Sequence, residues 1–139
     1  MQSPEITNDT EATRAAGAAF AATLSVGSVV ALHGPLGAGK TTFVQGMARG
    51  LGLNEQVTSP TFGLVQEYGR PPKLIHIDCY RESNLMRWQA LGLQEYFDLD
   101  VITVIEWAEI IAPLLPPGTV NIAFEHGPDE TQRRFELMK

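Results

Sequence analysis

The stretch HGPLGAGKTTFVQG, residues 33–46, decides how the rest of the chain is read. Within it, Gly34 to Thr41 fits G-x-x-x-x-G-K-[ST] without a mismatch. The run SVVALH before it is apolar and valine-rich, as a short buried strand would be, and TTFVQGMARGL after it reads as a helix closing at Gly50 or Gly52. A strand, a glycine loop and a helix in that order form an anion cradle. Backbone N–H groups turn inward in conformations that a Cβ would obstruct, and the helix adds its unpaired N–H groups and positive dipole end. With glycine at about 7% of residues, a chance match in a chain this long arises on the order of once in a few hundred. The loop therefore reads as a nucleotide phosphate site rather than a tight turn beside an exposed lysine.

In that reading Gly34, Leu36, Gly37, Ala38 and Gly39 form the cradle. Lys40 reaches the β- and γ-phosphates, the Thr41 hydroxyl ligates Mg²⁺, and Thr42 contacts the α-phosphate. The metal needs a carboxylate from a neighbouring strand end, and a water to be activated needs an orienting group. Three acids end apolar runs: Asp78 in LIHID, Glu106 in VITVIE and Glu125 in VNIAFE. In a parallel sheet the carboxyl ends of the strands gather on the side of the loop. Glu106, on the cleanest buried run, is the metal-side acid. Asp78 is a second candidate for metal or water, and Glu125 lies further out. Either Asp78 or Glu106 could activate the water. The segment VTSPTF, 57–62, carries hydroxyls at Thr58, Ser59 and Thr61. It fits either a switch loop that senses the γ-phosphate and ligates the metal, or a Ser-Pro turn that starts a strand.

Size and charge narrow the classes of function. The chain has 139 residues, the common length of one domain, and 44% hydrophobic residues, ordinary for a globule. A formal net charge of −6 disfavours direct grip on nucleic acid. The one cysteine, Cys79, excludes an intrachain disulfide and reads as a small buried hydrophobe within LIHIDCY. MQSPEITNDTEATR resembles neither a secretory nor a mitochondrial leader, and AAGAAFAATL is too short to span a bilayer, so a cytoplasmic protein without membrane attachment is expected.

The remaining runs alternate. A first helix follows the capping candidates Thr7–Thr10 and ends before Gly27. Strands are expected in GLVQEY and LIHIDCY, around the turn GRPPK, and a helix over SNLMRWQALGLQEYF capped by Ser83 or Asn84. VITVIEW, TVNIAFEHG and RRFELMK read as strands, with a short helix in AEIIAPLLP. The expectation is an α/β fold over residues 1–139, with a mostly parallel central sheet flanked by helices. His33, His76 and His126 share no metal-ligand spacing and read as packing residues. Arg81, Arg87, Arg133 and Arg134 are candidate phosphate partners that read mostly as surface. Trp107, next to Glu106, should report on bound nucleotide, and the region Thr10–Arg14 borders the base.

No N-K-x-D and no D-x-x-G follow the loop, so the usual guanine and switch signals of GTPases are missing. Roughly 100 residues after the loop, with few arginines, leave little for the acceptor pocket and lid of a metabolite kinase. A nucleotide-gated binding module with incidental hydrolysis is the other alternative.

The motifs G-x-L-G-A-G-K-T-T-F (34–43), S-P-T-F (59–62), H-x-D-x-Y-R (76–81), L-G-L-x-E-Y-F (91–97) and I-E-W (105–107) occur in one order in one short chain. Together they resemble the bacterial TsaE family, the ATPase component of tRNA threonylcarbamoyladenosine biosynthesis. The resemblance implies a cytoplasmic P-loop NTPase that binds ATP and Mg²⁺. It implies slow hydrolysis, stimulated by the threonylcarbamoyl transferase subunit and its paralogous partner, with tRNA reached only through them. It matches Lys40 and Thr41 to phosphate and metal, Glu106 to the metal-side glutamate, Asp78 to an acid that positions or activates water, and Thr61 to a switch-like loop. Pro35, Cys79 and the glutamate-poor helix after H-x-D-x-Y-R depart from the family pattern. The first two leave the phosphate contacts intact, and the third touches a surface for partners.

Overall fold

A computed structural model describes residues 4–57 and 65–138. The hydroxyls of Thr58, Ser59 and Thr61 lie outside the described residues. Seven strands form one sheet: β1 (Glu5–Thr7), β2 (Val29–His33), β3 (Val65–Tyr68), β4 (Leu74–Asp78), β5 (Ile102–Glu106), β6 (Val120–His126) and β7 (Arg133–Leu137). Their order is β1-β7-β6-β2-β5-β4-β3. The central strands β6, β2, β5 and β4 pair in parallel, while β7 on β6, β1 on β7 and β3 on β4 are antiparallel. The sheet is thus mixed, and parallel only at its centre. The short connections GRPPK and GPDE turn the chain straight back, which permits only antiparallel neighbours.

Helices cover both faces. α1 (Thr10–Ala21) and α2 (Lys40–Gly50) pack on one face, where Phe20, Phe43 and Met47 meet Val30, Leu32, Val104 and Ile122. α3 (Leu85–Ala90), α4 (Leu93–Phe97) and a 3-10 helix (Ala108–Leu114) cover the other, packing Trp88, Leu93 and Ile111 against Ala31, Ile75, Ile77 and Ile105. The expected single helix over SNLMRWQALGLQEYF is therefore two. Asn84 caps the first by accepting from the Met86 N–H, and Gly92 breaks the run with a left-handed φ of 76°. AEIIAPLLP forms the 3-10 helix, with Pro113 inside it. Strand β1 was not expected: three residues of mixed character carry no periodic signal, and β7 supplies the pairing.

The α1–α2 contact sets where the glycine loop lies, since α2 begins at its end. Gly46 faces the α1 backbone so closely that a Cβ there would overlap the Arg14 carbonyl oxygen. A mid-helix glycine replaced by alanine ordinarily gains about 0.5–1 kcal/mol. Here Gly46→Ala is expected to lose about 1–3 kcal/mol, because backbone rather than a flexible side chain must move. A lower urea midpoint with an unchanged slope checks this.

Candidate nucleotide site

β2 ends at His33, and the loop crosses from the sheet to α2. His33 is pinned from both sides, its ring bonding Glu109 of the 3-10 helix at 2.8 Å and Asn121 of β6 at 2.8 Å. Gly39 precedes α2 with φ 97°, a left-handed conformation that side chains rarely adopt, and a Cβ would sit 3.2 Å from Cγ of Arg133. Gly39 is thus the N-cap of α2, makes no side-chain capping bond, and sets the positive end of the helix beside the Arg133 side chain.

The parallel register does the rest. Glu106 pairs with Leu32 of β2 on one side and with Asp78 of β4 on the other, so both acids end their strands beside the loop. Glu106 is 3% exposed, and each of its carboxylate oxygens lies 3.1 Å from the Thr41 hydroxyl, which donates to it. His76, fully buried on β4, donates from Nε2 to Glu106 Oε2 at 2.7 Å. Asp78 accepts from the Tyr80 N–H at 2.9 Å. Lys40 folds back, donating to the Gly34 carbonyl oxygen with its Nζ 3.7 Å from the centre of the Trp107 ring. Trp107 takes φ 58°, a rare value for a bulky residue, and its ring meets Tyr80 with centroids 4.8 Å apart.

Several of these groups line one cleft of about 460 Å³. Leu36, Gly37, Gly39, Lys40, Thr41 and Thr42 of the loop border it, together with Asp78, Glu106 and Trp107. Gly34 and Ala38 do not: Gly34 lies against the Phe124 backbone and Ala38 is buried. Thr10 and Thr13 of α1 also line the cleft. Of the four arginines, Arg81 and Arg133 border it, while Arg87 pairs with Glu82 and Arg134 with Glu125. Glu125, the third candidate acid, is thus engaged at the exposed outer end of β6.

The histidines differ from expectation. All three hydrogen-bond, and His76 contacts the acid most central to the site rather than merely packing. A polar residue between Ile75 and Ile77, on the same strand face as Asp78, was the available signal. Cys79 is fully buried, and its thiol is pushed up to about 12 by that burial, next by Asp78 and Glu109.

Burial opposes charge on two further groups. It lowers the affinity of the Lys40 ammonium for its proton, against the attraction of Glu106, Glu109 and Asp78. It raises the Asp78 carboxyl above the usual aspartate range, the Tyr80 N–H opposing and Glu106 adding to the shift. A raised carboxyl holds its proton more tightly in the folded than in the unfolded chain. Its contribution to stability is complete below the unfolded value of about 3.9 and is lost as pH rises through the higher folded value. Asp78→Asn is therefore expected to raise the melting temperature at pH 7. The gain should shrink as pH falls toward the unfolded value, as thermal melts across pH would record.

Residues 7–135 match the family model described as threonylcarbamoyl adenosine biosynthesis protein TsaE. A tRNA threonylcarbamoyladenosine biosynthesis protein TsaE from Treponema pallidum is 47% identical over 100 residues, 72% of this chain and 74% of that protein. One from a Nostoc species is 41% identical over 135 residues, 93% of this chain and 81% of the relative. The crystal structure of YdiB from Bacillus subtilis superposes with a TM-score of 0.81 at 34% identity, covering 96% of this chain and 82% of that one. With a family match across nearly all of its length and relatives this similar, the chain belongs to the TsaE family.

Proposed function

We propose that this protein is a cytoplasmic P-loop ATPase of the tRNA threonylcarbamoyladenosine machinery, supporting turnover of a threonylcarbamoyl transferase complex. The observation that carries the reading is the seating of the Thr41 hydroxyl on Glu106, where the glycine loop, the first turn of α2 and two strand-end acids meet in one cleft. The residues present fit Mg²⁺-ATP. The loop leads at Gly39 into the positive end of α2 beside Arg133, which suits an anion, and a hydroxyl and carboxylate already paired suit an ion that takes its remaining ligands from water and phosphate. Bound between Thr41 and Glu106, the metal would neutralise charge developing on the phosphates.

The chain's own groups divide the remaining work. The loop amides and the α2 terminus bind phosphate oxygens. Lys40, now on the Gly34 carbonyl and over the Trp107 face, would turn to phosphate, and Trp107 would then lose its cation. Both Glu106 oxygens already accept hydrogen bonds, whereas Asp78 borders the cleft with its carboxyl raised by burial above the usual aspartate range, suiting it to orient water and take its proton. Arg81 and Arg133 offer further positive charge at the cleft. Completion of such a site in trans is worth about 10³–10⁵ in rate, which accommodates slow hydrolysis alone and stimulation by partners. The transferase subunit and its paralogue are those partners, with tRNA carried by them, in keeping with the acidic chain.

Phosphate release from Mg²⁺-ATP, measured with the protein alone and with both transferase subunits, tests the proposal: a slow basal rate should rise sharply on addition. Lys40→Ala should lower the stimulated rate by about 10²-fold or more, as loss of one preorganised electrostatic contact does. Because Lys40 and Thr41 bond within the protein before loading, a nucleotide-gated binding module is the second reading. Under it, Glu106→Gln would abolish turnover yet keep tRNA modification in cells; under the first reading, modification fails.

A further inference from the structure

We propose that His76 is a positioning residue that holds the Glu106 carboxylate at the mouth of the glycine loop, keeping it in place when the Thr41 hydroxyl turns to another ligand. The inference rests on the nucleotide reading above and concerns a residue outside the phosphate-contacting set.

Three observations carry it. First, the sheet places His76 for this contact. His76 and Asp78 share one face of β4, as Val104 and Glu106 share it on β5, with His76 opposite Val104 and Asp78 opposite Glu106. His76 therefore lies one step deeper than both acids and reaches diagonally to Glu106, a separation that a long side chain spans. Second, the contact is short, 2.7 Å, between two side chains that are 0% and 4% exposed, whereas Thr41 shares its single hydroxyl proton between two oxygens at 3.1 Å each. Among the described residues, Thr41 and His76 are the side chains that hydrogen-bond Glu106. When Thr41 is drawn to a metal, His76 becomes the anchor.

Third, packing alone does not account for a histidine here. Beyond Asp78, its same-face neighbours are Leu74 on its own strand and Val104 on β5, both fully buried, and the exposed Gln66 opposite it on β3, which does not hydrogen-bond the ring. Nδ1 of His76 is buried with no hydrogen-bond partner. An aliphatic side chain would fill this interior without leaving a polar atom unpaired. What the histidine adds is one donor, Nε2–H, aimed at an acceptor-only carboxylate. Partners that orient a metal-side ligand act this way, restricting its rotation without touching the ion.

The test compares wild type with His76→Leu, His76→Asn and His76→Gln. Glutamine carries its amide N–H about as far from the backbone as Nε2, whereas asparagine is polar but too short to reach Glu106. Manganese affinity of the ADP-loaded protein is read by electron paramagnetic resonance, and ADP affinity is read separately in EDTA. His76→Leu and His76→Asn should weaken manganese binding by about 10- to 100-fold, with ADP affinity in EDTA within about twofold of wild type and His76→Gln restoring most of the loss. Unchanged manganese affinity in the leucine or asparagine variant overturns the proposal. So does a glutamine variant as impaired as asparagine, a comparison that decides the matter even where leucine fails to fold. Wild type that binds no manganese with ADP overturns the nucleotide reading and this inference with it. Wild-type binding that survives in every variant overturns the inference alone.

Discussion

The parallel register of β2, β5 and β4 is the constraint from which the site follows. It sets Glu106 between Leu32 and Asp78, so that two acids from distant parts of the chain end their strands beside the loop that leaves β2. A register slip of one residue would turn Glu106 and Asp78 to the opposite face, among Ile75, Ile105 and Trp88, where a carboxylate would find no partner. Val30, Leu32, Val104 and Ile122 prevent that slip, since each is buried against α1 and α2 on the face where the acids point. Core packing and site geometry are in this sense one requirement.

That geometry is held against the preference of its own groups. Lys40 and Asp78 are each drawn by burial toward their neutral forms, and Trp107 carries a rare backbone conformation. Such features concentrate where structure serves chemistry, and the surrounding fold maintains them. The Lys40–Gly34 bond and the contact with the Trp107 ring give the lysine partners that a bound phosphate would replace. His33, tied to both the 3-10 helix and β6, links the start of the loop to the segment that follows Glu106 and Trp107.

Local pattern revealed much of this. The glycine loop, the strand before it and the helix after it stand where spacing placed them, because neighbouring residues suffice to specify a left-handed Gly39 and an amphipathic α2. Asp78 and Glu106 were recognisable as acids closing apolar runs. Short or context-dependent elements were less legible. Strand β1 exists through its pairing with β7, and the split between α3 and α4 depends on Gly92, which a helix can also accommodate at modest cost.

The chemistry offered by the loop and the identity of its acids are thus written in residues close together along the chain, where backbone conformation and periodicity act. Which arginine serves the cleft, which acid meets Thr41 and what holds that acid are questions of contact between distant segments. Arg133 and Arg134 are neighbours of equal charge, yet strand alternation sends one toward the loop and the other to Glu125. His76 looks like a core residue until β4 lies beside β5 and brings its ring within 2.7 Å of Glu106. Side-chain reach is only a few ångströms, so such partnerships come into being when the sheet closes its register, and only the folded structure chooses among them.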